Sequence, residues 1–264
     1  MPPIPEKPGW DGVEELASML MFASSAYGLR DTLDEVHRTA TLVRDQISHD
    51  AWRMLSALHI DRRWRQPKRA GLTWPLLELL DDGIRSLNAF SGTESENMTR
   101  NFAWRFLQIG RRIERSDVML NLLQAGILHA RQDDIVLGPL LEIGDSTMTY
   151  RRLHFARPML IQTLDLLLLE PGNPRSFSFQ LHALDRLMAK LPHDATQDAG
   201  NREREQTDAL LSDLMALNLE KLATAGDLVF EVAPHFCQKM TKGIETLSDI
   251  ITEHFFSHAS VRGR

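Results

Sequence analysis

Along most of the chain, apolar side chains recur every three or four positions, and no stretch alternates apolar and polar residues as a half-buried strand would. This periodicity predicts an all-α protein, a multi-helix bundle of mostly antiparallel helices joined by short connections. Helices are expected over 11–26, 29–48, 50–66, 73–92, 101–130, 133–156, 158–170, 174–191, 203–232 and 234–257. Ser48-His49-Asp50 is placed to cap one helix and Pro67 to end another. Asn173-Pro174 supplies an N-cap followed by proline at the first helical position. The same pattern divides the chain into a proline-rich segment (1–10), a helical bundle (11–192), a polar loop of small residues (193–202) and a C-terminal helical hairpin (203–264) packed on the bundle. Met19, Leu20, Met21 and Phe22 read as core.

Charge and cysteine content narrow the functional classes. Thirty basic against 36 acidic side chains give a formal net charge of −6, which argues against a sequence-independent nucleic-acid binder. The single cysteine, Cys237, forms neither an internal disulfide nor a cysteine-based zinc site, as expected of a protein from a reducing compartment. The N-terminus has no basic run followed by an apolar stretch, and the run Leu164–Leu169 contains Asp165 and falls far short of the roughly 20 residues that span a bilayer. A cytoplasmic protein with no membrane or nucleic-acid partner is therefore expected. There is no Gly-rich phosphate loop and no nucleophile elbow, so no nucleotide cofactor is expected, and any ATP chemistry would use a site on another polypeptide. No metal is expected either: His254 and His258 stand four apart without a third ligand. Cys237 near His235 reads as a buried thiol, and Arg62 to Arg69, around Trp64, as an exposed basic elbow.

The densest chemistry lies between Asn101 and Arg115. At about 100° per residue, Phe102, Phe106, Ile109, Ile113 and Leu120 share one face, and Gly110, Glu114, Asp117 and Asn121 line its border. Glu114 is accordingly expected to be half-buried and paired with an arginine from another helix, since an unpaired buried carboxylate is costly. Arg105 and Arg112 line the opposite border, with Gln108, Arg111 and Arg115 pointing further from the core. Downstream, Thr147, Tyr150, Arg151 and His154 continue a face begun by Leu140 and Ile143, so polar groups replace the core near this helix end. Asn173-Pro174-Arg175-Ser176 opens a further helix, where free backbone N–H groups, Arg175 and Ser176 are suited to a carboxylate or phosphate. Glu94 to Arg100 reads as a turn of capping-box type. Each motif has an equally physical structural reading, as ion pairs and caps that hold helices in register.

Taken in order, Glu96-Asn97-Met98-Thr99-Arg100, Trp104-Arg105-Phe106-Leu107, Gly110-Arg111-Arg112-Ile113-Glu114-Arg115, Asp145-Ser146 with Thr149-Tyr150-Arg151-Arg152, and Asn173-Pro174-Arg175-Ser176 resemble the bacterial alpha-E domain family. Val43 to Ser48 and Ala51-Trp52-Arg53 extend the resemblance. Family members usually begin with another helical segment bearing its own Gly-Arg-x-x-Glu-Arg-Ala motif, which is not found before Trp10. The resemblance implies an all-helical domain often fused to, or encoded beside, a circularly permuted ATP-grasp carboxylate–amine ligase. The expected role is a non-ATP-binding accessory or substrate-binding module of an amide-forming system. Its expected partner is that ligase or another alpha-E chain, with a homo-oligomer as a further expectation. The site residues carried over are Arg111, Arg112, Glu114, Arg115, Thr149, Tyr150, Arg151, Asn173, Arg175 and Ser176. In this account Arg111, Arg151 and Arg175 hold anionic groups, Glu114 orients one of them and Tyr150 donates a hydrogen bond. Two alternatives stay open: a stand-alone acyl or amide transferase using Glu114 or His154 as general base, and a purely structural interaction scaffold.

Overall fold

The structure, a computed structural model, describes residues 28–65, 73–191 and 202–256, and every regular element in them is helical. Contacts divide the chain into two compact units, Met1–Ala103 and Trp104–Arg264. The helix expected over 11–26, the Met19–Phe22 segment, most of the 193–202 loop and His258 lie outside the described residues.

In the N-terminal unit α1 (Leu29–Leu42), α2 (His49–Ile60) and α3 (Thr73–Asn97) run antiparallel in succession. Asp34 meets His59 at 3.0 Å, while Arg44, just past α1, reaches His49 at 3.1 Å. Thr93 of α3 lies 3.7 Å from Met54, and Arg63, in a short turn after α2, holds Asp82 at 2.8 Å. A small core of Leu33, Leu58, Trp64 and Leu79 joins these elements. The continuous helix expected over 29–48 stops at Leu42, because Ser48 takes an extended conformation to accept the Ala51 N–H at 3.1 Å, as an N-cap must. Nor is the basic elbow uniformly exposed: Trp64 is buried, its ring facing Gly83, where a β-carbon would come within 3.1 Å.

The C-terminal unit begins within the first turn of α4 (Phe102–Ala130) and continues through α5 (Leu137–Ile143), α6 (Thr147–His154), α7 (Leu160–Leu164), α8 (Phe177–Met188), α9 (Arg202–Ala216), α10 (Leu219–Thr224) and α11 (Val229–Phe255). After α7 the helix widens over Asp165–Leu169, closing with Glu170 N–H donating to Asp165 O at 2.8 Å. One core, including Leu120, Leu123, Ile127, Leu164, Leu184 and Leu247, runs through these helices. α9 packs on α8 and runs antiparallel to α11: Glu203 pairs with His254, and Asp213 with Lys239 at 2.7 Å. Cys237 is a buried free thiol, pushed up to about 12 by that burial.

Three expected helices are divided differently. The 133–156 helix breaks at Gly144-Asp145-Ser146, with Asp145 in the left-handed region at φ +47°. The 203–232 helix stops at Ala216, since Asn218 turns to cap α10 by accepting the Lys221 N–H at 2.9 Å. The last helix starts at Val229 rather than at Pro234, which lies inside α11 and simply omits one ladder hydrogen bond. No described helix is long and apolar enough to cross a membrane.

Candidate functional site

The buried face of α4 decides which of its charged residues are available. It carries Gln108, Ile109, Ser116, Met119, Leu120, Leu123, Gly126 and Ile127. Ser116 and Gly126 belong to this face because small residues allow close packing; a β-carbon at 126 would come within 2.8 Å of Leu140. Apolarity alone passes over both residues, and including them rotates the face toward Arg112. Two expectations are thereby corrected. Glu114 is exposed and makes no ion pair among the described residues, so it does not orient an arginine, and Gln108 is buried rather than pointing outward.

The same rotation lays Arg112 against the start of α8. Arg111 and Arg112 are half-buried. The Arg112 guanidinium donates to Gln180 Oε1 at 3.0 Å and lies 5.6 Å from the centre of the Phe179 ring. Gln180 is 1% exposed, and its amide N–H donates in turn to Pro174 O at 2.5 Å. One buried amide thus ties α4 to the loop carrying Arg175.

That loop is fastened to the turn between α5 and α6. Asn173 Nδ2 donates to Ser146 Oγ at 3.1 Å and to Leu166 O at 2.9 Å, while its Oδ1 accepts the Arg175 N–H at 3.1 Å. Ser176 donates to Glu170 O at 2.6 Å and accepts the Phe179 N–H at 3.0 Å. Ser176, not Asn173, is therefore the N-cap of α8, and the helix starts at Phe177 because the Asn173 side chain is committed to the neighbouring turn. Both side chains are buried scaffolding rather than open ligand contacts. Arg175 is exposed and donates to Asp145 Oδ2 at 2.7 Å.

Partial desolvation, together with the charges of Arg111 and Arg175, holds Arg115 below the usual arginine range. Arg115 is exposed and has no ion pair among the described residues. Asp145 is the carboxylate on Arg175.

Around α6 the expected residues separate by role. Tyr150 is 1% exposed, and its hydroxyl accepts the Met159 N–H at 2.9 Å and donates to Arg157 O at 3.2 Å. That hydroxyl is used within the fold, which corrects the expectation that it donates to a ligand. The His154 ring packs against Tyr150 with ring centres 4.6 Å apart, and the Asp165 carboxyl is raised by desolvation and by Glu170 against the opposing pull of His154. Thr149 is half-buried and Arg151 exposed. Arg151 lines an open cleft of about 600 Å³ with Glu142, Asp145, Thr147, Met148 and Tyr150. Asp145 and Gln180 stand outside the residues expected to form the site. Asp145 follows a glycine at a helix break and Gln180 lies one turn after Ser176, but neither signal points to an arginine partner.

Residues 6–256 match the Alpha-E family, described as a predicted alpha-helical domain with a conserved ER motif, and the chain belongs to it. Glu114-Arg115 is an ER pair at the resembling position. An uncharacterized protein of Mycobacterium bovis and two of Mycobacterium tuberculosis are each 25% identical over 193 residues, covering 71% of this chain and 22% of the relative. The chain thus spans about a fifth of the length of these relatives. No solved structure matches.

Proposed function

We propose that this alpha-E chain is a helical accessory module without a nucleotide site of its own, which holds an anionic substrate group for an ATP-grasp carboxylate–amine ligase. The observation that carries this reading is the exposed Arg175, presented beside Asp145 by a loop that buried amides tie to Arg112 of α4, with its charge felt at Arg115. Neighbouring like charges repel, and a bound anion offsets that repulsion. Guanidinium groups suit carboxylates and acyl phosphates because their planar forks donate two parallel hydrogen bonds. The buried Gln180 and Asn173 amides fix the loop that carries Arg175, so its position is organised before a ligand arrives. The ligase partner follows from the family resemblance.

The test is affinity isolation of the chain from its native cells, followed by mass spectrometry and size-exclusion of the complex. Recovery of an ATP-grasp ligase is the expected result. Recovery of the chain alone, as a monomer or self-oligomer, overturns the ligase partnership. Arg115→Gln, with helicity unchanged, should lower the affinity for inorganic phosphate by about tenfold, the worth of one charge-assisted contact.

A further inference from the structure

Helix α6 turns most of its side chains to solvent. Tyr150 is its one buried residue, while Met148 is 75% exposed and Phe155, which closes the helix, 90%. At about 100° per residue, Met148, Arg151 and Arg152 share the side turned away from Tyr150, and Phe155 continues that stripe at the next turn. Phe155 is costly there in two ways. It leaves a large aromatic ring in water, and its backbone sits at φ +49°, where a bulky side chain is rarely found. A ring this exposed gains almost nothing within the fold, so neither cost is recovered until something covers it.

The charge between the two apolar ends says what covers it. Arg151 and Arg152 are exposed and make no ion pair among the described residues, whereas nearby Arg157 has Asp134 at 3.9 Å. The stripe therefore runs apolar, basic, basic, apolar over about 10 Å of helix rise. Beside it, Met148 and Arg151 line the cleft of about 600 Å³, where Leu141 and Pro158 supply apolar wall. Glu142 lines the same cleft from α5, and Asp145 is held by Arg175, so an acidic ligand is kept to the α6 side.

A second copy pairing through this stripe about a two-fold axis would set Arg151 and Arg152 against their own counterparts, which repel. An anionic bilayer, as an extended surface, meets the formal net charge of −6 of the whole chain, whereas a single acidic segment meets chiefly the field of the two arginines, since salt screens more distant charges. We propose that α6 docks an acidic segment of a partner protein, whose carboxylates pair with Arg151 and Arg152 and whose flanking apolar side chains cover Phe155 and Met148, the second of them entering the cleft. The inference goes beyond the proposed function: it uses neither Arg115 nor Arg175, and it holds whether or not the partner is a ligase.

The experiment is photo-cross-linking of the full chain in its native cells, with p-benzoylphenylalanine in place of Met148 and, as the control, in place of Met215, which is 77% exposed on α9. The Met148 probe should join one segment of a partner protein, rich in aspartate and glutamate, with a yield about tenfold or more above that of the control. Arg151→Glu combined with Arg152→Glu should abolish the adduct, and changing the carboxylates of the joined segment to lysine should restore it, a rescue that an unfolded variant could not give. Phe155→Asn, which the left-handed backbone tolerates, should lower the yield while leaving the charges in place. An adduct with a second copy, with lipid or with a segment lacking acidic residues, equal yields at the two positions, or a loss that the charge exchange does not rescue overturns the proposal. An acidic segment from a protein other than an ATP-grasp ligase supports the docking face and overturns the ligase partnership.

Discussion

The two units use polar side chains in opposite ways. In the N-terminal unit they form mostly local ion pairs at the surface: Arg38 with Glu35, Arg63 with Asp61, and Arg85 with Asp82. Pairs of this kind contribute little, because water and salt screen them. They surround a core of few residues, Leu33, Leu58, Trp64 and Leu79. In the C-terminal unit Asn173 and Gln180 are buried and bond to Ser146 and Arg112, distant in sequence, within a core that runs through many helices. A buried amide left without partners is costly, so these bonds specify which loops meet. Charged groups can be held at fixed positions only on such a frame, which explains why the arginine cluster belongs to this unit.

Core truncation should give the largest contrast. Leu123→Ala, at a position that is 0% exposed, is expected to cost about 2–5 kcal/mol, measured by denaturant unfolding of the full chain. Native-state hydrogen exchange should show the slowest amides in α4 and α8 and faster exchange in α1 to α3; equal protection in the two units would refute the comparison. Next in size, Tyr150→Phe should destabilise by about 1–3 kcal/mol, because the Met159 N–H loses its acceptor and the Arg157 carbonyl its donor. A loss near zero would show that water replaces the hydroxyl.

An opposite sign is expected at Phe155, which ends α6 at φ +49° and is 90% exposed. Phe155→Gly relieves the left-handed strain without opening a cavity and should stabilise by about 1 kcal/mol, read as a rise in Tm. The smallest effect concerns pH in the N-terminal unit. Desolvation and the stacked His59 ring, 4.0 Å away, hold His37 below its ordinary value of 6.5, with Asp34 opposing them. A depressed histidine favours folding when neutral. Its contribution is complete above the unfolded value and is lost as pH falls through it toward the folded value. His37→Gln should therefore flatten the decline in stability below about pH 6.5.

The helical class was legible because repetition every three or four residues is a local property, and the cap at Ser48 is a short pattern of the same kind, whereas the cap expected at Asn173 falls instead on Ser176. Arg111, Arg112, Arg115, Asn173, Arg175 and Ser176 stood out as charged or capping residues against helical stripes. Glu114 was misplaced because the centre of a buried face depends on what packs against it, and here Ser116 and Gly126 count as core. The break at Asp145 was missed for a related reason. Its turn is held by Asn173 and Arg175, about 30 residues downstream, and no local rule of helix termination includes such partners.

By itself, the sequence determined that the chain would be helical, approximately where most helices would lie, and which stretches carried chemistry. Those features follow from propensity, capping and hydrophobic period, which act within a few turns. The tertiary structure alone decided which loop Arg112 meets, which polar groups are consumed by the fold, and that Asp145 both pairs with Arg175 and lines a cleft. Those outcomes depend on helix rotation and on bonds between distant loops, which exist only once the core has fixed both partners.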